Sequence, residues 1–74
     1  MSIGTVKWFN IRKGYGFIVP EEKIMDRTHN HKDVFVHITK VQELGLDALP
    51  EGARIYYEPY DVRGRVAAGN LRLL

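Results

Sequence analysis

Residues 13–18, Lys13-Gly14-Tyr15-Gly16-Phe17-Ile18, and residues 33–38, Asp33-Val34-Phe35-Val36-His37-Ile38, decide the fold. Successive side chains of a strand point to opposite faces. Tyr15 and Phe17 therefore share one face, and Gly16 and Ile18 the other. In the second segment Phe35 and His37 separate in the same way from Val34, Val36 and Ile38. Each segment has an aliphatic side and an aromatic or imidazole side, and the aliphatic side makes the better core. Ile18, Val34, Val36 and Ile38 are expected inside; Tyr15, Phe17, Phe35 and His37 are expected outside. A contiguous apolar patch on the surface of a small protein asks for a partner.

Outward from these segments, short β-rich runs recur between turn signals: IGTVKWFN, YGFIVP, DVFVHIT, ARIYYEPY and AAGNLRLL. Five such runs point to an all-β sandwich or barrel. Lys13-Gly14 reads as the turn of a first hairpin, with Gly14 and Gly16 allowing geometry or close approach that a Cβ would block. Strict alternation puts Trp8 with Val6 on the core side and Phe9 with Lys7 outside, unless a bulge swings Trp8 outward. Residues 20–33 have no sustained period and read as a loop. Residues 40–53 place Val41, Leu44, Leu46 and Leu49 near helical spacing, but Gly45 and Pro50 limit any helix to about one turn. Pro59 lacks a backbone donor and fits an edge strand or a bulge, where the fourth strand is expected to end or bend.

The chain has 74 residues, enough for one domain over 1–74 with one small core. It contains no cysteine, so the core holds the fold without disulfides and a reducing compartment is expected. MSIGTVKWFN has neither a basic leader nor a long apolar run, so a cytoplasmic protein with no membrane partner is expected. The formal net charge of +2 is mild, but its distribution is uneven. Residues 1–20 carry Lys7, Arg12 and Lys13 and no acid; residues 62–74 carry Arg63, Arg65 and Arg72 and no acid; all nine acids lie between. If the two basic ends pair in space they form one basic face.

Aromatic rings are flat platforms for unpaired bases, each worth about 1–3 kcal/mol, and they tolerate any sequence because every base has a π-face. Lysines and arginines beside them neutralise phosphates. The segregated Lys7, Arg12, Lys13, Arg63, Arg65 and Arg72 fit such a track better than scattered solvated charge does. Residues 13–18 match the opening of the first ribonucleoprotein consensus, basic-Gly-aromatic-Gly-Phe-aliphatic, and residues 34–38 resemble the second. No Gly-rich phosphate loop, cysteine nucleophile or placed carboxylate pair points to an enzyme or to a small-molecule substrate. His29-Asn30-His31 lacks an obvious third ligand, so no metal or other cofactor is expected.

GTVKWFN, KGYGFI, DVFVHI and AAGN, in this order and in a chain of this size, resemble the bacterial cold-shock protein family. The resemblance implies a small five-stranded antiparallel Greek-key barrel of the OB type that binds single-stranded RNA or DNA, and it implies an RNA chaperone or a regulator of gene expression. It places base stacking on Trp8, Tyr15, Phe17, Phe35 and His37, charged contacts on Lys7, Lys13 and Arg63, and flanking positions on Phe9, Asn10 and Asp33. Ile38 and Leu46 stand where the family usually has further aromatics, which implies weaker binding. The loop before Asp33 is longer than usual, and Gly64-Arg65-Val66 replaces a Gly-Pro pair. Pyrimidine-rich strands are the expected preference and a monomer the expected state. The rivals are another OB-type module for structured RNA and a protein-interaction module that uses the same aromatic face.

Overall fold

The computed structural model describes residues 2–21 and 33–74. These form strands β1 (Ser2–Asn10), β2 (Tyr15–Pro20), β3 (Val34–His37), β4 (Arg54–Val62) and β5 (Arg65–Leu73), with a short helix α1 (Ile38–Gln42) after β3. The strands close into a barrel in the order β1-β2-β3-β5-β4. The expected five-stranded barrel is therefore present. It is not antiparallel throughout, because β3 and β5 run parallel, joined at Phe35 and Ala67. A closed ring with an odd number of strands cannot alternate direction all the way round, so one neighbouring pair must be parallel.

The barrel is filled from the aliphatic faces. Val6, Ile18, Val34, Val36, Val41, Leu49, Ile55, Tyr57, Ala68 and Leu71 form one buried cluster. Ile18, Val34 and Val36 are inside as alternation requires. Ile38 is not: β3 ends at His37, and Ile38 begins α1 and is only half-buried. The break has a local cause, since the His37 ring caps the helix, its Nδ1 accepting from the Thr39 amide at 3.2 Å. The helical turn thus begins two residues before the 40–53 segment in which it was expected and runs into it as far as Gln42. Val41 is its buried residue, while Leu44 and Leu46 pack against the core from the connection that follows.

Pro59 does not end β4, which continues to Val62. β4 pairs with β1 only over Arg54–Tyr57, and beyond that only with β5. Pro59 thus sits where one edge of the strand has no ladder partner, and its missing donor costs nothing there. The last strand likewise starts earlier than expected, at Arg65, after a two-residue turn in which Arg63 (φ 51°) and Gly64 (φ 82°) are both left-handed. Positive φ at both central positions is the turn geometry that matches strand twist. No helix among the described residues is long and apolar enough to cross a membrane. His29, His31 and most of the 20–33 loop lie outside the described residues.

Candidate nucleic-acid interface

The outer face of β1, β2 and β3 is a continuous sheet of rings. Strand pairing sets Trp8 opposite Phe17, Phe17 opposite Phe35, and Tyr15 opposite His37. Outward side chains in register on neighbouring strands must touch. Trp8 meets Phe17 at 5.3 Å between centroids and Tyr15 at 5.8 Å. Phe35 stacks on Tyr15 at 5.7 Å and 29°, meets Phe17 edge-on at 5.9 Å, and lies 6.3 Å from His37. The four aromatics are half-buried against one another and His37 is exposed. Edge-to-face contacts of this kind add about 0.5–1.5 kcal/mol per pair beyond burial, so the rings hold one another in place before any ligand arrives.

Trp8 joins this face through a β-bulge. Val6 pairs with Ile18 but Trp8 pairs with Phe17, so Lys7 is the extra residue and the alternation changes phase after it. The same shift turns Phe9 inward, where it packs against the core cluster and not among the rings. Gly16 makes room for this: a Cβ there would collide with the Trp8 carbonyl oxygen and come within 2.7 Å of the Phe9 ring.

The polar residues expected at the site fall into three arrangements. Asn10 builds the β1–β2 turn, its Oδ1 accepting from the Lys13 amide at 3.0 Å, and this holds Lys13 out at the exposed tip. Lys7, on the bulge, pairs with Asp33 at 2.8 Å, both side chains remaining partly solvated. Arg63 stands at the tip of the β4–β5 hairpin and lines a groove together with Phe35, Val62, Arg65 and Ala67. The two basic ends of the chain do not pair in space, since β1 neighbours β2 and β4 but not β5. Lys7 lies in β1 and Lys13 in the β1–β2 turn, whereas Arg63 and Arg65 belong to the β4–β5 hairpin beside Phe35. Arg72 is elsewhere, beside Lys40, Glu43 and Glu58.

Val62 and Ala67 are neighbours of the site that alternation alone did not reveal. Their place beside Phe35 depends on the parallel β3–β5 pairing, which has no local signal. Ile38 and Leu46 contribute no ring: Ile38 donates its amide to the Gly14 carbonyl at 2.9 Å, and Leu46 leans on the core. Among the described residues no group of His, Cys, Asp or Glu could hold a metal ion.

Residues 2–74 match the model of the "Cold-shock" DNA-binding domain family. The chain is 43% identical to the major cold shock protein of Micrococcus luteus over the full length of both. It is 45% identical to a probable cold shock protein of Sinorhizobium fredii over 97% of each chain. With a cold shock-like protein of Escherichia coli K12 it shares 47% identity over 74% of this chain and 70% of the relative.

Proposed function

This chain belongs to the cold-shock DNA-binding domain family, and from that premise we propose that it binds single-stranded RNA and DNA by stacking bases on the outer face of β1–β3. The observation that carries the reading is the unbroken contact of Trp8, Tyr15, Phe17, Phe35 and His37 on one surface. Each ring still offers part of a face, and each base so stacked contributes about 1–3 kcal/mol. Lys13, in the β1–β2 turn, and Arg63, in the β4–β5 hairpin, meet phosphates. Lys7 does the same from its pair with Asp33, the acid being a hydrogen-bond acceptor for a base edge there. Asn10 and Phe9 act from beneath, one holding the turn and the other the bulge.

Stacked rings read no base edges, so sequence preference is modest and falls on pyrimidine-rich runs, which unstack easily. A duplex hides the faces these rings need. Binding only the open strand pulls the pairing equilibrium of an RNA toward open forms by mass action. That is the physical content of an RNA chaperone or of a regulator acting through RNA structure. With Ile38 and Leu46 in place of two further rings, the affinity per strand is lower than in a relative that has them. The chain does this as a single copy, its barrel closed by its own strands.

Competition settles the reading. A labelled thymine-rich single strand bound to the protein is displaced by unlabelled single-stranded RNA or DNA and not by the same length of duplex. Equal displacement by duplex contradicts stacking on unpaired bases. Concentration-dependent self-association with no oligonucleotide binding assigns the rings to a protein partner.

A further inference from the structure

Strand pairing aligns Trp8, Phe17, Phe35, Ala67 and Tyr60 in one lateral row across all five strands. Every member except Ala67 bears a ring. Ala67 pairs in register with the outward-facing Phe35 while its neighbour Ala68 joins the core cluster, so its methyl lies on the outer side of the sheet, covered to 2% exposure by what surrounds it. The step down from Phe35 to Ala67 opens the groove of about 310 Å³ that Phe35, Val62, Arg63, Arg65 and Ala67 line. Adjacent strands lie about 4.8 Å apart, so Phe35 and the β4 side of the row are separated by about 10 Å. Room of that kind beside a ring suits one more flat group.

The walls are apolar and the rim is cationic. Val62 is 45% exposed and stands across the hairpin from Arg65. Among the described residues neither Arg63 nor Arg65 makes an ion pair, whereas Lys7, Lys40 and Arg54 each do. Two free guanidiniums above an apolar floor, continuous with the ring cluster, fit a base with its phosphate. On the other side of Phe35 the chain turns into α1, where Ile38 and Leu46 offer no ring.

We propose that a single strand leaving Phe35 runs onto the β4–β5 hairpin and seats one further nucleotide in this groove, with Arg65 as its phosphate contact. The proposal rests on the reading of the ring cluster as the binding face. Arg65 and Val62 thereby lengthen the footprint toward β4 and partly replace the platforms absent at Ile38 and Leu46.

The test is the affinity of the whole protein, Arg65→Gln and Val62→Glu for oligothymidines lengthened by one nucleotide at a time, with thermal unfolding of each variant as a control. Both residues are exposed, so both variants fold. The wild type gains affinity at the length that reaches the hairpin, and both variants lose that gain, at least about fivefold, the lower end for one stacked base. Arg65→Gln also lowers the slope of log K against log salt by about 0.7 for the longer strands. If both variants match the wild type at every length while Phe17→Ala binds weakly, Val62 and Arg65 lie outside the footprint and the proposal falls, the ring cluster standing. Failure of the wild type to bind any length overturns the ring reading itself. Variants that alter self-association but not oligonucleotide affinity assign the groove to a protein partner.

Discussion

Trp8 lies directly across the sheet from Phe17, 5.3 Å between ring centroids at 65°, although counting from Val6 puts it on the opposite face. One extra residue, Lys7, reconciles the two, because a bulge reverses the phase of every side chain after it. The bulge therefore does two jobs: it brings the single tryptophan to the ring cluster and sends Phe9 to the core.

Gly16 is the counterpart of that bulge, so Gly16→Ala unfolds or distorts the site. The added Cβ would meet backbone at Trp8 and come within 2.8 Å of the Phe9 Cα, atoms that cannot swing away. Overpacking of this kind costs about 1–3 kcal/mol or more. Chemical denaturation measures it, and a variant as stable as the wild type contradicts the close approach.

Phe17→Ala separates binding from stability. The ring is half-exposed at the centre of the cluster, so truncation costs less than the roughly 3–5 kcal/mol of a fully buried phenylalanine. Affinity for a single strand falls by about 1–3 kcal/mol. Parallel melts and oligonucleotide titrations give both numbers; loss of folding without a measurable binding defect in the folded fraction rejects the role.

The alternating faces of residues 15–18 and 34–37 were legible in the sequence because a period of two needs no tertiary context. The bulge at Lys7 was legible only as a conflict between alternation and resemblance. Ile38 was misplaced inside the barrel because a cap, His37 on Thr39, stops β3 one residue short of the aliphatic run. The parallel β3–β5 pair and the Phe35–Ala67 groove were not legible, since each joins residues distant in the chain through the closure of the barrel. Pro59 was read as an edge or bulge residue where β4 ends or bends; the strand does not end there but runs on to Val62, with a register shift between Tyr56 and Glu58 just before the proline.

His37 has two roles that different substitutions divide. Its Nδ1 caps α1 and its ring borders Phe35. His37→Asn keeps a capping acceptor and loses the ring, so it binds more weakly at near-native stability. His37→Ala loses both, and melts with an added cost of about 1 kcal/mol. Identical stability of the two variants removes the cap from the account.

Lys13 stands exposed at the tip of the turn that Asn10 builds. Lys13→Gln lowers the slope of log K against log salt by about 0.7, the value for one phosphate contact on a single strand. An unchanged slope takes Lys13 off the phosphate path.

The central claim is that bases stack on the ring cluster, and the fluorescence of Trp8, the one tryptophan in the chain, reports on it directly. Titration with a thymine-rich single strand quenches that emission saturably, while a duplex of the same length leaves it unchanged. Binding by an independent assay without any change in Trp8 emission, or equal quenching by the duplex, contradicts the account.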